Sequence, residues 1–353
     1  MADQLIAALG GYGEVGATAV RRLAEFGHGR IRVGGRNPER GRTRFSDLRD
    51  IETSYVDIDD RESLNRFCAG ADLVLNCAGP SYRILDTVAR AALRAGAHYV
   101  DVAGDVPARR ALGSTFGDRA AVFSAGLMPG LTGLLPRLIA DPGDRLEINV
   151  GGAVRMTPAS AADILLAQGP DFGESLAQWR GGTVVSRSLS PRRGIRLPGF
   201  PEPVDAMPFL PTESIRVAAE LRVEELRFYT AYASEAIPTA LAMAWADDPE
   251  HRDEYVEMLI QAAVSDLRER DPYYVLTAST GSSSATLRTG DPYRLSGVVA
   301  ALAADAVLQE KIDPGVHFAD GVLDPAGTIE ALRHDPLVHS LIIHTATSRR
   351  SSS

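Results

Sequence analysis

Leu5-Ile6-Ala7-Ala8-Leu9-Gly10-Gly11-Tyr12-Gly13-Glu14-Val15-Gly16 is the stretch that decides the fold. Five apolar residues run directly into a G-x-G-x-x-G spacing, and a helix-patterned segment, Ala17 to Phe26, follows without a break. Strand, glycine loop and helix in that order are what a dinucleotide pyrophosphate requires. Gly11 permits a tight turn, Gly13 lets the backbone approach the phosphates, and Gly16 lets the helix lie close on the strand. Tyr12, Glu14 and Val15 complete the loop, and the helix N-terminus turns unpaired N–H groups and a partial positive charge toward the phosphates. The plainer alternative is a tight turn that binds no nucleotide. The flanking strand and helix, and a second strand at the right distance, favour the binding loop.

Outward from this stretch, short apolar runs alternate with helix-period segments to about residue 125. The strands are expected at Gln4–Gly10, Arg30–Gly34, Thr53–Asp57, Leu73–Asn76, His98–Val102 and Ala121–Ser124. Repeated strand–helix units of this kind build a Rossmann-type, doubly wound parallel sheet of the α/β class. After Gly126-Leu127-Met128-Pro129-Gly130 the rhythm changes to longer strands with fewer helices between them: Leu146–Val154, Thr183–Leu189, Arg222–Tyr229 and Tyr273–Ser279. Gly281-Ser282-Ser283-Ser284 reads as a hairpin turn, so an inserted α+β domain with a largely antiparallel sheet is expected. The six prolines between Pro191 and Pro211 predict a packed loop, and Glu250 to Arg270 a long amphipathic helix.

The composition narrows the function classes. The net charge of −9 argues against non-specific binding to nucleic acid or an anionic membrane. No apolar run is long enough for a transmembrane helix, and no secretory leader is evident, so a cytoplasmic protein is expected. Cys68 and Cys77 are the two cysteines, which leaves neither a disulfide framework nor a Cys-x-x-Cys metal site. No H-E-x-x-H or tight His/Cys/Asp cluster occurs, so no metal is expected. Lys311 is the single lysine, which rules out a lysine-dependent phosphate loop and the Tyr-x-x-x-Lys pair of short-chain dehydrogenases.

The end of the second strand selects the cofactor. NAD enzymes place an acid there to accept from the ribose 2′-hydroxyl. This chain has Gly34-Gly35-Arg36-Asn37 and no acid before Glu39. Arg36 can stack on adenine and pair with a 2′-phosphate, with Arg40 assisting, so NADP(H) is expected ahead of NAD(H). Asp57 either faces the adenine or is a turn residue, and Asp59 or Asp60 caps the helix that follows.

Asn76-Cys77-Ala78-Gly79-Pro80 ends the fourth strand, where ligands of doubly wound sheets bind, so Ala78, Gly79 and Pro80 are expected beside the nicotinamide ribose. The alternative is an ordinary turn with a packed proline. Tyr82 and Arg83 open the next helix. His98-Tyr99-Val100-Asp101 ends the fifth strand, with Tyr99 and Asp101 on one face. An acid and a phenol at this edge suit a substrate-side or proton-relaying role; a structural role for Asp101 is equally open, and His98 reads as structural.

Gly11-Tyr12-Gly13-Glu14-Val15-Gly16, Gly34-Gly35-Arg36-Asn37, Asn76-Cys77-Ala78-Gly79-Pro80, His98-Tyr99-Val100-Asp101 and Gly126-Leu127-Met128-Pro129-Gly130-Leu131 together resemble the saccharopine dehydrogenase (saccharopine reductase-like) family. Trp179-Arg180-Gly181-Gly182 and Asp291-Pro292-Tyr293-Arg294-Leu295-Ser296-Gly297 extend the likeness more weakly. The resemblance implies a Rossmann domain over residues 1–130, an α+β substrate and dimerisation domain over 131–290, and C-terminal segments over 291–347 that return to the first domain; the residues themselves predict a disordered tail at 348–353. It also implies a homodimer acting on a small molecule. Characterised members interconvert imines and amines of amino-acid-like substrates with NAD(P)(H); others reduce C=C bonds of lipids.

The leading expectation is thus NADPH-dependent hydride transfer to a C=N bond of an amino-acid-derived substrate. Asp101 and Tyr82 are the candidate catalytic residues, and Arg83, Tyr99, Trp179 and Arg180 the candidate substrate contacts. An enoyl reductase is the second reading, favoured if Phe200, Met207, Phe209 and Leu210 line one apolar cleft. A sensor or scaffold that binds NADPH without turnover is the third.

Overall fold

The computed structural model describes residues 4–114, 116–167 and 171–345, with the backbone alone at Pro249. Two compact units share the chain. The first gathers residues through Leu131, Thr157–Ala167 and Asp291–Asp324; the second gathers Thr132–Met156, the residues from 168 to Gly290, and those from Pro325 onward.

In the first unit, β1 (Leu5–Leu9), β2 (Arg30–Gly35), β3 (Ile51–Tyr55), β4 (Leu73–Asn76), β5 (His98–Asp101), β6 (Ala120–Phe123) and β16 (Gly315–Phe318) form one sheet in the order β16-β6-β5-β4-β1-β2-β3. Every pairing in it is parallel. The strands are short and apolar because both faces are covered: each residue of β1, β4 and β6 is buried. The winding reverses between β1 and β4, so the carboxyl ends of β1, β2, β4 and β5 gather at the switch point where such sheets bind ligands. The register sets Leu9 beside Gly34 and Asn76, and Asn76 beside Asp101.

Helix α1 (Glu14–Glu25) buries Gly16 to Val20 and Leu23. The Pro292–Leu308 helix packs on it through Gly297, where an added Cβ would lie 2.3 Å from the Val15 carbonyl oxygen. That close approach explains the glycine in the Asp291–Gly297 motif, whose Asp291 caps the helix by accepting the Arg294 N–H.

The second unit is built on a mixed sheet. β7 (Arg145–Ala153) runs parallel to β13 (Glu225–Tyr232) and antiparallel to β14 (Tyr273–Ser279), and the hairpin partner β15 (Ser284–Thr289) follows. Short strands β8 (Gly173–Ser175), β9 (Gln178–Arg180) and β10 (Thr183–Val185), then β11 (Arg192–Ile195) and β12 (Val204–Pro211), extend the far side.

Several expectations are corrected. The proline-rich stretch is not all loop. β12 runs through it, because Pro208 needs to supply only a carbonyl, which accepts the Leu176 N–H at 3.0 Å. The helix expected from Glu250 begins as a 3₁₀ turn, Pro249–Tyr255, and becomes α-helical at Val256–Asp266. The C-terminal return also ends early. β17 (Val338–His344) pairs with β15 in the second unit, whereas Thr157–Ala167, expected in the second domain, belongs to the first. The tail at 348–353 lies outside the described residues. Among the described residues no helix is long and apolar enough to cross a membrane, and no cluster of His, Cys, Asp and Glu could hold a metal ion.

Candidate functional site

The glycine loop makes a cradle of bare backbone. The turn residue with positive φ is Gly10 (φ +68°) rather than Gly11, and a Cβ there would lie 2.8 Å from the Ala78 nitrogen. At Gly16 a Cβ would meet the Gly10 carbonyl oxygen at 2.5 Å and Gly11 Cα at 2.6 Å, so α1 lies against its own loop. Gly13 differs: it is exposed, and its nearest neighbour to an added Cβ is the Gly10 carbonyl oxygen at 3.3 Å. It stands at the N-cap of α1 with no side-chain cap, so the first-turn N–H groups, including those of Glu14 and Val15, are left for a ligand. The Glu14 carboxylate itself turns to Arg44, 3.4 Å away.

Tyr12 ties this loop to the end of β2. Its hydroxyl accepts the Asn37 N–H at 2.7 Å, and the Arg40 guanidinium lies 5.9 Å over its ring. The same hydroxyl would stand 2.1 Å from a Cβ on Gly35. A side chain at the last position of β2 would have to displace that hydroxyl. Arg36 follows, exposed and without an ion pair among the described residues, while Glu39 is occupied by Arg42. A free guanidinium with a second one nearby suits a 2′-phosphate. At the end of β3, the Asp57 carboxylate accepts the Asp59 N–H at 3.1 Å on one oxygen, its own N–H meets Ser63 Oγ, and Asp60 caps the next helix.

At the carboxyl edge of β4 and β5 the polar groups form one buried network. Asp101, 2% exposed, accepts from the Tyr99 hydroxyl at 2.6 Å and Asn76 Nδ2 at 3.1 Å on one oxygen, and from the Ala103 and Gly104 N–H groups at 3.0 and 2.9 Å on the other. Asn76 Oδ1 in turn accepts the Ala78 N–H, which fixes the start of the Gly79–Pro80 turn. Burial, with Asp101 beside it, holds the Tyr99 phenol well above its ordinary pKa, so it stays a donor. Burial likewise pushes up the Cys77 thiol and makes it a poor nucleophile. His98 accepts the Ala120 N–H, and burial, with Arg119 alongside, lowers its pKa.

Two candidates change role here. Tyr99 is fully buried among Phe116 and Phe123 and cannot touch a substrate. Asp101 has both oxygens engaged and organises the edge rather than meeting a ligand. Tyr99→Phe should therefore cost about 1.5–3 kcal/mol in denaturant unfolding, the range for one hydrogen bond to a charged group, since Asn76 still donates to the same oxygen. An unchanged midpoint would remove the bond from the account.

Tyr82, half-buried, and Arg83, exposed, open the Ser81–Ile84 turn of helix directly after the cis Gly79–Pro80 bond. Asp163 joins them from the Pro158–Leu166 helix, its Oδ1 accepting the Tyr82 N–H at 3.2 Å. Nothing in the sequence reading singled it out; its one signal is a lone acid in Ala161-Ala162-Asp163-Ile164-Leu165-Leu166. Burial drives its pKa up to about 6, against the Ser81 and Tyr82 N–H groups, which lower it; Asp101 raises it and Arg83 lowers it. A carboxyl raised from its ordinary 3.8 contributes stability that is complete below that pH and is lost as pH rises through about 6. Asp163→Asn should thus melt above wild type at pH 7.5 and lose that gain by pH 4. A difference independent of pH would count against the buried acid.

Trp179 and Arg180 lie on β9 in the second unit, committed to partners there. The indole N–H donates to the Val223 carbonyl at 3.3 Å, and the Arg180 guanidinium pairs with the buried Glu225 at 3.4 Å. Nor do Phe200, Met207, Phe209 and Leu210 form one lining. Met207 and Phe209 alternate with the buried Leu210 across β12, and Phe200 packs edge-on to Tyr273.

Residues 6–117 match the family model described as the saccharopine dehydrogenase NADP binding domain. No curated protein sequence matches the chain. Among solved structures, the apo histidine-tagged saccharopine dehydrogenase (L-Glu forming) from Saccharomyces cerevisiae is similar over 96% of this chain and 99% of its own, with a TM-score of 0.66 at 14% identity, a likeness of fold. Pen from Bacillus thuringiensis is similar over 28% of this chain and 37% of its own, at 18% identity and a TM-score of 0.26. Serine dehydrogenase from Escherichia coli covers 28% of this chain and 60% of its own, at 18% identity and 0.25. Residues 6–117 thus match the saccharopine dehydrogenase NADP binding domain, the chain shares the fold of saccharopine dehydrogenase, and NADP(H) is its cofactor.

Proposed function

We propose that this chain is an NADPH-dependent oxidoreductase that reduces a C=N bond of an amino-acid-derived small molecule. The observation that carries the reading is the likeness of fold, over nearly the whole of both chains, to an enzyme named saccharopine dehydrogenase (L-Glu forming), joined to an NADP cradle in the first unit. The bound NADPH supplies a hydride to the C=N carbon. The chain's own residues do the rest. Gly11 to Gly16 hold the pyrophosphate, Arg36 and Arg40 the 2′-phosphate, and Ala78, Gly79 and Pro80 the nicotinamide half. Asn76 and Asp101 keep that edge rigid, because their hydrogen bonds close on one another. Tyr82, half-buried on that turn, is the phenol that gives a proton to the nitrogen, with Arg83, exposed beside it in sequence, the cation for a substrate carboxylate.

The test is loss of NADPH absorbance at 340 nm with a panel of imines, formed from amino acids and aldehydes, against a panel of enones. Turnover with imines alone supports the reading. Turnover with enones alone replaces it with C=C reduction, and turnover with neither leaves an NADPH-binding protein without this activity. With the best imine, Tyr82→Phe should lower kcat about 100-fold, the range for loss of a general acid, with the NADPH Kd unchanged.

A further inference from the structure

Asp163 stands out among the ionisable groups that the proposed reaction does not use. It comes from a stretch, Thr157–Ala167, that is flanked in sequence by the second unit yet packs within the first. Its carboxyl lies against the turn that follows β4: Oδ2 would be 3.6 Å from a Cβ on Gly79, and the Ala159 methyl 3.2 Å. Its helix is anchored firmly. Thr157 caps it in a reciprocal capping box with Ser160, and Ser160 Oγ meets the Tyr293 hydroxyl at 2.9 Å. Capping the short Ser81–Ile84 turn would need only a neutral oxygen, which serine or asparagine supplies without burying an acid. An acid at this place adds a charge that ionises in the physiological range. The groups facing it are Asp101 from β5 and Arg83 from the Ser81–Ile84 turn, beside the Ser81 and Tyr82 N–H groups.

We infer that Asp163 is the group by which the cofactor site distinguishes oxidised from reduced nicotinamide, its carboxylate favouring the cationic ring of NADP⁺ over the neutral ring of NADPH. The inference rests on the reading that Gly79 and Pro80 hold the nicotinamide half. By linkage, NADP⁺ binding draws the proton off Asp163, so NADP⁺ tightens relative to NADPH as pH rises through the range in which the carboxyl ionises. Ionisation of the 2′-phosphate falls in the same range but is common to both nucleotides, so it cancels in their ratio.

The experiment is calorimetric titration of the whole protein with NADP⁺ and with NADPH at pH 5.0, 6.0, 7.0 and 8.0, for wild type and Asp163→Asn. The ratio of the NADPH Kd to the NADP⁺ Kd should rise about 10-fold across this range in wild type, equivalent to about 1.4 kcal/mol, and stay flat in the variant. A flat wild-type ratio overturns the assignment to Asp163 even if the variant fails to fold, and so does an equal rise in both proteins. If neither nucleotide binds at any pH, the cofactor reading fails instead, a result distinct from both.

Discussion

Gly13→Val should lower NADPH affinity on the order of 100-fold or more, ~3 kcal/mol, while the protein stays folded. The backbone at Gly13 is ordinary extended conformation (φ −71°, ψ 176°), which valine adopts without strain. The added side chain has open space on the ligand side, with only the Gly10 carbonyl oxygen near its Cβ, at 3.3 Å. It should cost at most about 1 kcal/mol as a poorer N-cap, a shift of about 4 °C or less in melting temperature. What it removes is the approach of a pyrophosphate to the first-turn N–H groups. Gly16→Val is the contrasting variant: its side chain would strike backbone at 2.5 Å, so binding and stability should fall together. Undiminished NADPH binding by a folded Gly13→Val protein would mean that the loop does not grip the diphosphate.

Arg36→Ala should weaken NADPH about 30- to 100-fold, the ~2–3 kcal/mol of a charge-assisted bond to phosphate, and change NADH affinity by less than about 3-fold. The asymmetry follows from geometry. Arg36 is exposed and carries no ion pair among the described residues, so its removal strands no partner, and NADH has no 2′-phosphate to lose. Arg36→Asp should go further and prefer NADH, since it puts an acid one position past Gly35, the last residue of β2. Titration of both nucleotides against each variant decides the matter, and equal losses for the two would place Arg36 outside the phosphate site.

The Rossmann half was legible because parallel strands covered on both faces must be short and apolar, as β1, β4 and β6 are, and because glycine punctuates the first of its turns. The NADP(H) cofactor was legible for a similarly local reason: the rule that selects it concerns the residues at the end of one strand. The roles of Tyr99 and Asp101 were not. Alternation correctly put them on one face, but a face does not say whether it meets solvent, and here it meets Asn76 and the Gly104 backbone. Asp163 was hidden because its partners are 81 residues away in sequence, at Tyr82. β12 was masked by prolines, whose missing N–H matters only where the ladder asks for a donor. The place of β17 was hidden as well, since a half-exposed run can extend either sheet.

The dispersal of the first unit along the chain bears on how the protein is made. A ribosome that has released the residues through Leu131 has delivered six of the seven strands, β1 to β6, and the entire glycine loop. The helix whose Gly297 seats on α1, and strand β16 that extends the sheet beyond β6, emerge only after most of the second unit has been synthesised. The nascent nucleotide fold must wait with one flank of α1 bare and its β6 edge unpaired. The sheet is thus completed late in translation, and an amino-terminal fragment cut at the family-model boundary would expose apolar surface that the intact polypeptide covers.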